Sequence, residues 1–149
     1  MNNKTKVYRM HLNPDFNCNL GQDDVIKFCK EKGIIGVGWE DIKVHKDYKD
    51  ETILKEVCDN SKYTNKPFNS LKILSKINAG DMIWTKDKEN NVYYLCIVTK
   101  TWFETSPDIY YEDMDIKNFV CCNWNKIDKR NIPENILRSF KAQQTILQV

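Results

Sequence analysis

The sequence predicts an α+β domain: a curved antiparallel β-sheet, or a small β-barrel, flanked by helices. Three observations point there. Apolar residues in the first half recur at helical spacing, the second half runs in strand-length stretches, and strand-like segments stand at both termini. The 149 residues suit one domain spanning 1–149. One domain of a longer protein is the open alternative, because the strand-like segment 145–149 runs to the last residue.

Residues 7–12 (Val-Tyr-Arg-Met-His-Leu) alternate apolar and polar as an opening strand does, and Asn13-Pro14-Asp15 breaks them. Residues 22–32 carry Val25, Phe28 and Cys29 at helical spacing, with Gly33 placed to end the helix. Residues 34–39 read as a strand buried on both faces. Residues 49–58 form a helix in a charged region, and Pro67 opens another with Phe68, Leu71, Leu74 and Ile77 on one face. Strands at 81–85 and 92–103 flank the Asp-, Asn- and Lys-rich turn 86–91 of a hairpin. Tyr110-Tyr111 opens a loop or short strand, 119–124 makes a further strand, and Ile132-Pro133-Glu134 starts a helix running to Phe140.

A hydrophobic fraction of 41% with 11% aromatics supports a packed core and argues against disorder. Net charge is only +2, carried by 20 lysines and 3 arginines among interspersed acids, so charge alone does not announce a nucleic-acid binder. The six cysteines make no Cys-x-x-Cys pair, and with only His11 and His45 beside them no zinc spacing appears. No apolar stretch approaches the roughly 18 residues a membrane span needs, and 1–6 is polar, unlike a signal peptide. The expectation is a soluble, reduced, cytoplasmic protein without metal or cofactor, its cysteines acting as small hydrophobes.

The segment Ile34-Ile-Gly-Val-Gly-Trp39 delivers a tryptophan behind two glycines, and Asn78-Ala-Gly-Asp-Met-Ile-Trp84 delivers a second behind a tight turn. Glycine lets a ligand approach the backbone, and an indole offers a broad face to a planar ring. Two such elements suit opposite walls of one slot for a nucleobase, or alternatively two core residues.

Taken in order, Gly33–Trp39, Ile77–Trp84 with the long strand to Phe103, and Arg130–Phe140 leading into Gln144–Val149 resemble the PUA-like superfamily, nearest the EVE-type domains of modification-dependent restriction systems. Leu95-Cys96-Ile97 stands where that family often has a glycine, and 40–66 is not family-like. The resemblance implies a reader rather than a catalyst. Such domains hold a modified base of DNA or RNA in an aromatic-walled pocket after it leaves its stack, and an effector nuclease, fused or separate, accompanies them. Extraction costs a few kcal/mol, offset by edge hydrogen bonds and by stacking of about 1–3 kcal/mol per base.

Carried onto this chain, the resemblance makes Trp39, Trp84 and Trp102 pocket walls, while Trp124 reads as core or rim. Glu40 and Asp41 are candidates to accept from an exocyclic amine, and Asn123 to pair with a base edge. Arg9, Lys43, His45, Lys46, Lys129 and Arg130 are the candidates for backbone phosphates. Asp81 reads as a turn former. No Gly-x-Ser-x-Gly elbow, Walker loop or His-Glu-x-x-His helix occurs. A Cys18 or Cys29 pair with His11, and the acidic cluster Asp108, Glu112, Asp113 and Asp115, are the only traces of catalysis, and both read more simply as structure. The alternative to a reader is a small protein-interaction module on the same scaffold.

Overall fold

A computed structural model of the chain describes residues 4–12, 21–106 and 116–149. The expectations for Asn13-Pro14-Asp15, Cys18, Tyr110-Tyr111 and the acidic cluster at 108–115 fall outside those residues. The described elements are β1 (Val7–Met10), α1 (Gln22–Lys32), β2 (Ile34–Val37), α2 (Glu51–Asp59), α3 (Phe68–Leu74), β3 (Met82–Asp87), β4 (Val92–Lys100), β5 (Asn118–Ile127), α4 (Glu134–Ser139) and β6 (Ile146–Gln148). Short 3-10 turns precede α2 and α4 and follow β4. The fold is α+β, built on one curled six-stranded sheet.

The strand order is β2-β5-β4-β3-β1-β6. The sheet is mixed, which corrects the antiparallel expectation: β1 lies parallel to β3, pairing Val7 with Met82. The chain's ends meet beside it, β1 running antiparallel to β6. Nothing local in 7–12 distinguishes a parallel neighbour from an antiparallel one, so that pairing is a decision of the tertiary fold.

Local chemistry explains most boundaries. Gly33 adopts φ +67 and its N–H closes α1 onto Cys29 and Lys30. Asp50 caps α2 through the N–H groups of Thr52 and Ile53. In the β3–β4 hairpin, Asp87 accepts from the N–H groups of Glu89 and Asn90, and Asn91 takes φ +54. The strand expected to reach Phe103 ends at Lys100, where Trp102–Glu104 winds into a 3-10 turn.

Two apolar clusters lie on opposite faces of the sheet. The inner face carries Tyr8, Met10, Ile83, Tyr94, Cys96, Val98 and Cys122 and packs against α1, α2 and α3 through Val25, Ile26, Leu54, Cys58, Leu71 and Leu74. The outer face carries Trp84 and Tyr93 and packs against Ile132 and Ile136 at α4. Strand alternation makes the division: Ile83 turns inward and its neighbour Trp84 outward.

β1 sends Arg9 and His11 to the outer side, where they tie down the segment after α4. The His11 Nε2 sits 2.8 Å from the Ala142 carbonyl, which only accepts, so Nε2 carries the hydrogen. Burial holds the imidazole pKa below its ordinary value; the Ala142 carbonyl opposes this, and the charges of Arg9 and Lys88 reinforce it. The unfolded chain therefore binds a proton more readily than the fold, starting near pH 6.5. His11's stabilisation is present above that pH and is lost as pH falls through the depressed folded pKa. Melting temperature is expected to fall more steeply below pH 6.5 in the wild type than in His11→Gln; parallel curves would refute this.

Among the described residues Cys29, Cys58, Cys96, Cys121 and Cys122 are free thiols. No described helix is long and apolar enough to cross a membrane.

Candidate functional site

The segment following β2 holds one of three left-handed non-glycine residues among the described residues, the others being Thr64 and Asn91. Val37 ends the strand, and Trp39 then adopts φ +64, left-handed territory that a bulky side chain enters at a cost of about 1–3 kcal/mol. The turn closes when the Ile42 N–H donates to the Trp39 carbonyl at 3.0 Å. Trp39 is half-buried, packed on the rim of the inner core.

Asn118, the first residue of β5, braces this turn from beneath. Its Nδ2 donates to the carbonyls of Gly38 at 2.8 Å and Trp39 at 3.3 Å. Its Oδ1 accepts from the Trp102 Nε1 at 3.2 Å. Asn118 is almost wholly buried, and its one amide engages three polar groups, two of them on the partly buried turn. Sequence reasoning missed it; the available signal was a polar residue opening the apolar run Asn118-Phe-Val-Cys-Cys.

Trp102 belongs to the brace. It is 1% exposed, which corrects its assignment as a pocket wall. It also anchors an aromatic row, with ring centroids 5.3 Å from Phe103 and 6.1 Å from Tyr48, and Tyr48 stands 5.7 Å from His45. Tyr48 and Phe103 are half-buried, and the Lys49 ammonium lies 5.2 Å from the Phe103 ring. Tyr48 went unnoticed in the sequence, since 40–66 matches no motif.

Trp84 does not face Trp39. It is 7% exposed on the outer side, packed with Tyr93 and Ile132, and the sheet stands between the two indoles. The single slot with both as walls is therefore not formed. Asn123 is exposed but shares Trp84's face, opposite Ile97 of β4, because its neighbours Cys122 and Trp124 turn to the inner side. Trp124 is a rim residue there, donating to the Ile34 carbonyl at 2.9 Å and meeting Tyr94 edge-on.

The glycines divide their work. A Cβ on Gly36 would lie 2.1 Å from the Asn118 carbonyl oxygen, so Gly36 serves the close approach of β2 to β5 rather than a ligand. Glu40 and Asp41 are exposed beside Trp39, but Lys62 already spans them, its Nζ 3.1 Å from Glu40 Oε1 and 3.3 Å from Asp41 Oδ1. The two carboxylates hold the Lys62 pKa above its usual value. A base amine reaching either must share or displace that lysine.

The phosphate candidates scatter. Arg9 is 0% exposed, and its guanidinium donates to the carbonyls of Ser139, Ala142, Gln144 and Thr145, so it cannot meet a phosphate. Lys129 and Arg130 follow the far end of β5, whose ten residues span about 30 Å from the Trp39 end. Arg130, 88% exposed, forks onto Asp128 at 3.2 and 2.9 Å. Lys43, His45 and Lys46 are exposed on the segment leading from Trp39 into α2, and the His45 Nδ1 accepts from the Asp47 N–H.

Among the described residues no nucleophile pair forms. His11 lies on the outer side, whereas Cys29 is fully buried on α1 and its thiol is pushed up to about 12 by burial and the neighbouring Cys122. Among the described residues no cluster of three His, Cys, Asp or Glu side chains is placed to hold a metal. No protein-family model, curated protein or solved structure matches this chain.

Proposed function

We propose that the domain is a non-catalytic nucleic-acid reader that stacks a flipped, modified base on Trp39. The observation that carries this reading is the left-handed backbone of Trp39, held by a buried amide and presenting a half-exposed indole. Strain of this kind persists only where surrounding structure over-determines it, and it concentrates at binding sites. Stacking of about 1–3 kcal/mol per base and burial of an added methyl group supply affinity for a modified base. Specificity between bases requires polar contacts, for which Glu40 and Asp41 stand nearest in sequence. The reading places the protein in the cytoplasm, working with a fused or separate effector nuclease.

The test is a titration of matched single- and double-stranded oligonucleotides, unmodified or carrying 5-methylcytosine, 5-hydroxymethylcytosine or N6-methyladenine, at one salt concentration. Preference for one modification, with about 10-fold or greater loss in Trp39→Ala, is expected. Trp84→Phe, altered on the opposite face, should keep the preference. Binding that ignores modification and is unchanged in Trp39→Ala rejects the reading.

A second reading, a protein-interaction module, draws on the outer face beyond α4. Met82, Leu95, Ile97 and Leu147 are half-exposed there and Val149 is exposed. Leu95→Asp/Ile97→Asp abolishing association while oligonucleotide binding is absent would favour it.

A further inference from the structure

A concave site lies at the same end of the sheet as Trp39. It is an open cleft of about 600 Å³ formed where residues 4–6 enter β1 and residues 78–81 enter β3. Met82 pairs with Val7 and Ile97, and Val98 with Cys122, so the entries to β1 and β3, the exit of β4 and the entry to β5 share one edge. Asn118, which braces Trp39, stands on that edge opposite Val37. Four strand spacings separate β2 from β1, about 20 Å across, or roughly six base-pair rises of duplex.

The chemistry of the cleft suits an anion. Lys4 and Lys6 are exposed, and neither ammonium has a carboxylate partner among the described residues. The one carboxylate in the cleft, Asp81, is buried. It accepts from the Lys6 N–H at 3.0 Å and the Asn78 N–H at 2.8 Å, which turns its charge into the fold. The Gly80 backbone, at φ +93, has open space where a side chain would stand, so a ligand meets bare main chain. Between cleft and Trp39 the edge carries exposed Lys100, while Glu104 is held by the Thr101 N–H.

We infer that this cleft binds a backbone phosphate of the nucleic acid whose base stacks on Trp39. The inference rests on the reader reading, and it gives the phosphate-positioning role to Lys4 and Lys6 rather than to Arg9, Lys129 or Arg130. Phosphate contacts set register without sequence preference, so the cleft and Trp39 make separable contributions.

The test measures affinity for the modified and unmodified oligonucleotides across 50–200 mM salt for the wild type, Lys4→Ala/Lys6→Ala, Ala79→Glu and Lys129→Ala/Arg130→Ala. Each lost phosphate contact lowers the slope of log K against log salt by about 1. The Lys4/Lys6 variant should lose about 1–2 of slope and weaken modified and unmodified binding by one common factor. Ala79→Glu, which adds a carboxylate at an exposed position of the cleft, should weaken both likewise, and Lys129→Ala/Arg130→Ala should match the wild type. An unchanged slope in Lys4→Ala/Lys6→Ala, with Trp39-dependent preference intact, overturns the cleft alone. Loss of slope without any modification preference sustains the cleft and overturns the reader. No binding by the wild type at 50 mM salt overturns both.

Discussion

Gly36→Ala is expected to destabilise the domain by about 3 kcal/mol or more and to lower its melting temperature by on the order of 10 °C. Gly36 pairs with Phe119, and an added Cβ would stand 2.1 Å from the Asn118 carbonyl oxygen and 2.6 Å from the Phe119 Cα. Both contacts are main chain of a neighbouring strand, so relief requires β2 to move off β5. That movement pulls the Gly38 and Trp39 carbonyls from the Asn118 amide, so base binding should fall with stability. Gly80→Ala is the comparison: its Cβ meets nothing within 4 Å, and its penalty is limited to left-handed backbone strain of about 1–2 kcal/mol. Thermal unfolding of the two variants side by side checks this. A Gly36→Ala melting point within about 2 °C of the wild type would refute the close approach of the strands.

Arg9→Ala is expected to remove about 3 kcal/mol, because hydrogen bonds from a charged donor are worth roughly 1.5–3 kcal/mol each and water replaces them only in part. The guanidinium is fully buried and serves four carbonyls at and beyond the end of α4, where the helix leaves acceptors without partners. Removing it takes the charged donor from four partly buried carbonyls at once. Arg9→Lys should rescue little, because an ammonium cannot reproduce a planar fork of donors. Hydrogen exchange supplies the specific readout. The His11 and Val149 amides, which bond to Thr145 and Val7 across β1 and β6, should lose protection before the β4–β5 amides do. The salt slope of nucleic-acid binding should not change, and a fall of about 1 would restore Arg9 to the phosphate contacts.

Half of the candidate site was legible in the chain. Trp39 stood out because two glycines and an apolar run lead into it, and the structure gives it the left-handed backbone on which the proposal rests. Its supports were not legible. Asn118 lies 79 residues away, and an asparagine opening a strand carries no local mark of being buried against a tryptophan nitrogen and two carbonyls. Trp84 looked equivalent to Trp39 because each follows glycine and a short apolar run, whereas Trp102 ends a strand without that lead-in. Exposure separates them, and exposure is set by the far side of the contact.

The sequence by itself determined the kind of element at nearly every described position. Helical periodicity with Gly33 as stop placed α1, Pro67 placed the start of α3, and the polar turn 86–91 placed the hairpin, because each signal acts within one turn or strand. Only the tertiary structure decided that β1 lies parallel to β3, that Arg9 is buried under the chain's last helix, and that Trp39 and Trp84 face away from each other. These outcomes depend on which strand lies beside which and in what register. A one-residue shift in register reverses every side chain, and no local run of residues states the register of its partner.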